Sequence, residues 1–366
     1  MNEQSQKAGA DSQQYQAGRD ITIGVTAQEV VNITRAEVER SVDHLTAAAK
    51  EVAEARNRAL GDRIIEAFQG RPELFQAFAD PDFQFSLRDA ARAAASTDDE
   101  HTEQLLVDLL TNRAEEGGST RVRLATSQAI RAADKLSKDA LTGLTAIWVL
   151  SYLSTWGDTF AARMAQRSTT AAKLIALGLP SDQAWVSDLD ILNLARVQSM
   201  MARQQYADLL AQRFSEFLVT GLDKTNDRTL LDDAQRVVPE IGLLLAEHPL
   251  KPGFIMLTPS DEVAVFASLP ASAADIEIVK LLVGKNGYGM QDNTARANLA
   301  AAVAETASLA TIQDWWQQTP AFDLTVAGDV VGFVNARRHV AIGNAASIAD
   351  LLRIRSEGRP ASTQPF

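Results

Sequence analysis

Between Asp139 and Trp156 the chain reads DALTGLTAIWVLSYLSTW, and Leu141, Leu144, Ile147, Trp148, Val149, Leu150, Tyr152, Leu153 and Trp156 leave almost no polar face. A helix that is apolar all round has to be covered by neighbouring protein or by lipid. Thr142, Thr145, Ser151 and Ser154 interrupt the run, and a membrane span needs about 20 mostly apolar residues. The stretch predicts the central helix of a helical domain.

Helical spacing recurs on both sides of it. Thr26-Ala27-Gln28-Glu29 reads as a capping box, in which the hydroxyl accepts from the N3 amide and Glu29 reaches back to the cap. It opens a helix expected from about Ala27 to Gln69, with Val31, Val38, Leu45, Val52 and Ala59 every seven residues. At 1.5 Å per residue that helix is roughly 60 Å long. It either lies along a bundle within one subunit or zips against a second copy. Arg71-Pro72 starts another helix and Asp80-Pro81 stops it. Phe75, Phe78, Phe83, Phe85 and Leu87 read as a small aromatic core cluster. Ser96 to Glu100 caps a helix through Leu105, Leu106, Leu109 and Leu110. Gly117-Gly118-Ser119 reads as a loop, and a helix through Val122 to Leu136 leads into the central one. Later helices are expected over Ala161–Leu177, Asp188–Met201, Gln204–Val219 and Leu230–Glu247, with a soft boundary near Gly221–Arg228. Met256 to Phe266 and Asp323 to Phe333 share a Leu-Thr start followed by Val and Phe, which reads as two similarly built helix starts. An extended Leu before a Thr-capped helix also resembles the final step of a winged-helix domain.

One stretch keeps a different period. Tyr15, Ala17, Arg19, Ile21 and Ile23 alternate with Gln16, Gly18, Asp20 and Thr22, which is a strand pattern. No second strand follows nearby, and a lone strand leaves its backbone groups unpaired. Its partner is expected to be distant in the chain or, preferably, in another copy; a flexible leader is the alternative. In the self-pairing reading Tyr15, Gln16, Gly18, Arg19, Asp20, Ile21 and Ile23 are interface residues. The stretch YQAGRDITIG resembles the short Gln-Ala-Gly-Arg-Asp-Ile tag near the start of many bacterial proteins, some suspected in conflict with phage. The pattern that follows is similar to an uncharacterised bacterial family with that tag and an all-helical body. The stretches carrying it are Asp80-Pro81-Asp82-Phe83-Gln84, Asn112-Arg113, Leu141–Leu153 and Leu324-Thr325-x-x-Gly328. The resemblance implies a phage-defence setting and no particular activity.

Composition narrows the function classes. The chain has 366 residues, enough for two cores. A net charge of −12 argues against a nucleic-acid partner, because phosphate binding needs a basic stripe. Arg337, Arg338, His339, Arg353, Arg355 and Arg359 make the one local basic candidate. There is no cysteine, so disulfides, thiolate metal sites and cysteine nucleophiles are excluded, in keeping with a reducing cytoplasm. The first residues lack an apolar signal region.

Candidate chemistry is sparse. His44, His101, His248 and His339 sit in no metal-ligand spacing, and no nucleophilic-serine pattern occurs. Gly284-Lys285-Asn286-Gly287-Tyr288-Gly289 lacks the hydroxyl that would follow Lys in a phosphate loop, and reads as a turn. Trp315-Trp316 is expected to leave one ring in the core and one exposed for a partner.

The expected fold is mainly α, a multi-helix bundle or solenoid-like body with a short N-terminal strand and minor β near the C-terminus. The expected divisions are a self-associating leader over 1–25, a helical domain over 26–221 and a smaller helical module over 222–366. The expected function is a non-enzymatic, cytoplasmic, homo-oligomeric scaffold or sensor with an unidentified protein partner. It assigns no catalytic residue, cofactor, metal, nucleic-acid or membrane partner. A DNA-binding regulator and an enzyme of unfamiliar type are the alternatives.

Overall fold

The computed structural model describes residues 27–42, 46–115, 120–153, 157, 159–198, 200, 203–270, 276–340, 347 and 348. The strand-patterned leader, the Thr26 cap, the loop at 117–119, Trp156 and the arginines at 353, 355 and 359 lie outside these residues.

The expected 60 Å helix is two helices, α1 (Ala27–Val42) and α2 (Ala47–Gln69), which pack against each other. In α2 the heptad position Val52 is half exposed, while Ala53, Asn57, Leu60, Gly61, Ile64 and Phe68 face inward. Their spacing of three and four marks the apolar face of an ordinary helix. Gly61 allows α1 close, since a Cβ there would meet Thr34 Cγ2 at 3.2 Å. Pro72–Ala79 winds as a tight 3-10 helix. Asp80 then caps α3 (Pro81–Ser96) by accepting from the Asp82 amide at 3.0 Å. Phe68, Phe75, Phe78 and Phe83 meet in ring contacts, whereas Phe85 stands exposed.

Asp99 starts α4 (Glu100–Glu115), accepting from the Thr102 amide at 2.9 Å. α5 (Thr120–Ala133) leads to α6 (Lys138–Tyr152), capped by Ser137. Every residue from Ala140 to Leu150 is buried, as its pattern requires. α7 (Phe160–Ala176) matches its expected span. The next two expected helices are cut short. α8 (Ala184–Ile191) ends before Asn193, whose φ of 56° turns the chain into strand β1 (Ala195–Val197). α9 (Tyr206–Arg213) gives way to a 3-10 turn at Ser215–Phe217.

The chain then builds a second, smaller core. Strand β2 (Leu222–Asp223), α10 (Arg228–Val237), strands β3 (Leu245–Glu247) and β4 (Phe254–Leu257), α11 (Glu262–Ala267) and α12 (Glu277–Asn286) surround Leu222, Leu231, Ile241, Leu257, Val265 and Leu282. The three strands pair antiparallel in the order β2-β4-β3. The expected Leu230–Glu247 helix stops at Val237. Pro239 cannot donate to a continuing helix, and a 3-10 segment and β3 follow instead.

α13 (Asn293–Glu305), α14 (Ala307–Gln318), strand β5 (Phe322–Leu324) and α15 (Val326–His339) return to the first core. The residues expected as one C-terminal module are thus shared between two cores. β5 pairs antiparallel with β1, Ala195 opposite Leu324. Thr325 caps α15 as expected, accepting from the Gly328 amide at 3.1 Å; at the matching stretch Asp261, not Thr258, caps α11. α15 is buried from Ala327 to Ala336 and lies along α6. Asn335 Nδ2 donates to Thr145 Oγ1 at 2.7 Å between them. The fold is mainly α with small antiparallel strands, and among the described residues no helix is long and apolar enough to cross a membrane.

Candidate functional site

The tryptophan pair is used internally. Trp316 is 4% exposed, donates Nε1–H to Gln204 O at 2.8 Å and carries Arg203 over its ring at 4.0 Å. Trp315 is half-buried, stacks on Trp185 at 6.0 Å between ring centres and donates to Pro180 O. Neither ring is the exposed aromatic that a partner contact requires. The glycine-rich stretch is the end of α12. Gly287 closes it in the left-handed conformation at φ 78°, and the Asn286 side chain turns inward to accept from the Leu257 amide. Two arginines of the basic candidate are held by α4: Arg337 pairs with Glu115 at 3.1 Å and Arg338 with Asp108 at 3.3 Å. Buried His248 bonds through both ring nitrogens, to Val219 O and the Leu250 amide. Among the described residues, no group of three or more His, Asp or Glu is placed to hold a metal.

A cleft of about 460 Å³ between α1 and α2 holds a side chain with unmet bonding capacity. Asn57 lines it, 1% exposed, with neither its Nδ2 nor its Oδ1 hydrogen-bonded. A carboxamide presents a donor and an acceptor side by side. Leaving a buried polar group unmatched costs about 1–3 kcal/mol. The complementary ligand is another amide, in a peptide bond or an Asn or Gln side chain. Arg35, Arg58, Glu39 and Glu54 also line the cleft, so charges of both signs lie beside the amide. This chemistry suits recognition of a polar peptide. The heptad reading missed Asn57. Its position four residues after Ala53 and three before Leu60 places it on the inward face, a legible signal.

A second cleft, of about 360 Å³, lies where α4, α5, α6 and α15 meet, and brings His101 and His339 together with Asp99, Lys138 and Asn335. Burial holds the His339 imidazole below its ordinary pKa, and the charges of Arg338 and His101 push the same way. Asp99 also has a lowered pKa: burial raises it, and bonds from Thr102 and His101 outweigh that. Its oxygens are spent on the start of α4. The Thr102 hydroxyl, which donates to Asp99 at 2.7 Å, belongs to that same helix start.

Two short motifs that are separate in sequence converge in space. Arg113 is 2% exposed and donates Nη2–H to Asp82 at 2.8 Å and Asp80 at 3.3 Å. This node ties the end of α4 to the start of α3, so both motifs have a structural use.

The chain is therefore a mainly α protein with a central apolar helix pair, a smaller second core and a polar cleft on its first helix hairpin. A family model described only as ":-like" matches residues 24–348, and the chain belongs to that uncharacterised family. No curated protein and no solved structure matches it.

Proposed function

We propose that the chain is a non-enzymatic, homo-oligomeric scaffold or sensor that assembles through Tyr15–Gly24 and presents the α1/α2 cleft to a peptide of a partner protein. The observation that carries this reading is the strand-period leader, which ends at Gly24, with Val25 and Thr26 between it and α1. Strand pairing between copies satisfies backbone groups that one copy alone leaves open. The short connection then brings the α1/α2 hairpins of neighbouring copies together. Gly18 permits close backbone approach, and Arg19 of one copy pairs with Asp20 of the next. The cleft supplies the recognition chemistry, through the unmatched Asn57 amide. The phage-defence setting follows from the leader's resemblance alone, and the cytoplasmic one from the cysteine-free sequence.

The experiment is solution mass by light scattering on the full chain and on a chain starting at Thr26. A defined oligomer that falls to monomer on truncation supports assembly through the leader. Equal masses would remove that mechanism.

A further inference from the structure

Two arginines meet at the C-terminal end of α6. Arg167 of α7 is 1% exposed and donates Nη2–H to Leu153 O at 2.7 Å. Arg213, the last residue of α9, donates to Ser151 O, two residues earlier on the same helix end. Contacts of Phe160 with Phe214 and Phe217, and the Arg163–Glu216 ion pair, hold the start of α7 against the end of α9. Tyr206, the first residue of α9, is fully buried. It interacts electrostatically with Arg167.

These groups keep unused hydrogen-bonding capacity. Arg167 Nε and Nη1, Arg213 Nη1 and Tyr206 Oη are buried and have no hydrogen-bond partner. The two guanidiniums donate to carbonyl oxygens, and among the described residues no carboxylate pairs with either. The C-terminal dipole of α6 offers about half a negative charge. The buried Arg167 and the half-buried Arg213 need more than that, since an uncompensated buried charge costs several kcal/mol. Burial lowers the Arg213 pKa to about 10, the Arg167 charge adds to the lowering and Tyr152 opposes it, so the group stays charged at neutral pH. Arg203, also near α9, is not part of the centre; it donates to Pro320 O and stacks on Trp316.

We propose that Arg167, Arg213 and Tyr206 form a binding site for a phosphoryl oxyanion. A phosphoryl group carries a charge of about −1.5 to −2 at neutral pH and three acceptor oxygens, which answers two guanidiniums and a phenol together. Binding fixes the end of α6 to α7 and α9 and thereby tightens the central core. The source is free inorganic phosphate or the phosphoryl group of a nucleotide. The inference does not depend on the leader or on assembly.

The test is thermal melting of the full chain with inorganic phosphate, AMP, ATP and sodium chloride, all at matched ionic strength. The expected result is a saturable rise of several degrees in Tm with phosphate and none with chloride. A rise with the nucleotides alone assigns the source to a nucleotide. Tyr206→Phe keeps the ring and removes one donor, so it weakens the apparent phosphate affinity by at least threefold while the protein stays folded. Arg213→Lys keeps the charge and loses the planar donor set, and weakens it further. If none of the anions gives a saturable, anion-specific shift, the guanidiniums only cap the α6 carbonyls and the proposal is overturned. A phosphate shift that both variants leave unchanged overturns it equally, because the anion then binds elsewhere.

Discussion

Gly332 of α15 rests directly on Trp148 of α6: a Cβ at position 332 would lie 2.6 Å from the Trp148 Cβ and 2.7 Å from its Cγ. Neither neighbour is the tip of a flexible chain. Gly332→Ala therefore forces the helices apart or displaces the indole from its contact with Phe333 at 5.5 Å between ring centres. Overpacking of this kind costs about 1–3 kcal/mol. Urea denaturation monitored by tryptophan fluorescence should show a lower midpoint with an unchanged slope.

The Arg113 node predicts non-additive costs. Asp82→Asn leaves Asp80 as a partner for the buried guanidinium, and Asp80→Asn leaves Asp82 while an Asn still caps α3. Both single changes should be mild. The double variant leaves a buried cation unpaired and should cost about 3–5 kcal/mol, more than the sum of the singles. A double-mutant cycle by chemical denaturation measures the coupling.

Asn57→Leu should be neutral or stabilising, because it removes a buried polar group that makes no hydrogen bond. The same change should abolish capture of a Gln- or Asn-containing peptide in the α1/α2 cleft. A melting curve and a peptide titration on the one variant separate stability from recognition.

His248 gives the pH dependence a sign. Burial lowers its pKa below the ordinary 6.5; the bond to Val219 O opposes this, and the Lys251 charge adds to it while Asp292 counters. The unfolded chain therefore binds the proton first as pH falls. Stability is full above about 6.5 and declines below it, by up to ~1.4 kcal/mol per pH unit for each such group. His339, also lowered, contributes in the same window. Melting temperatures should drop between pH 7 and pH 5, and His248→Asn should flatten the decline in part.

Much of the body is legible from pattern alone. The all-round apolar run is buried from Ala140 to Leu150 of α6, and Thr325 caps α15 as its position announces. Helix lengths are less legible where 3-10 winding is nearly as good as α winding, as at Pro72–Ala79 and Pro239–Leu244. Within α2 the heptad misleads because small alanines can sit on either face, so the inward face is set by Leu60, Ile64 and Phe68. Trp315 and Trp316 mislead for a different reason. Adjacent helix residues diverge by about 100°, yet α8 and the segment before α9 reach round α14 to receive both rings. The cleft and the arginine centre depend on contacts between residues far apart in the chain, which no local period reports.

The α6–α15 pairing also has a consequence for synthesis. Thr145 and Asn335, which meet in the core, are 190 residues apart, and the whole second core is made in between. While the chain emerges from the ribosome, α6 waits with its α15 face uncovered until almost the last described helix appears. Contacts at such separation form slowly. Chains interrupted before residue 326 should be sticky and short-lived, a natural clientele for chaperones.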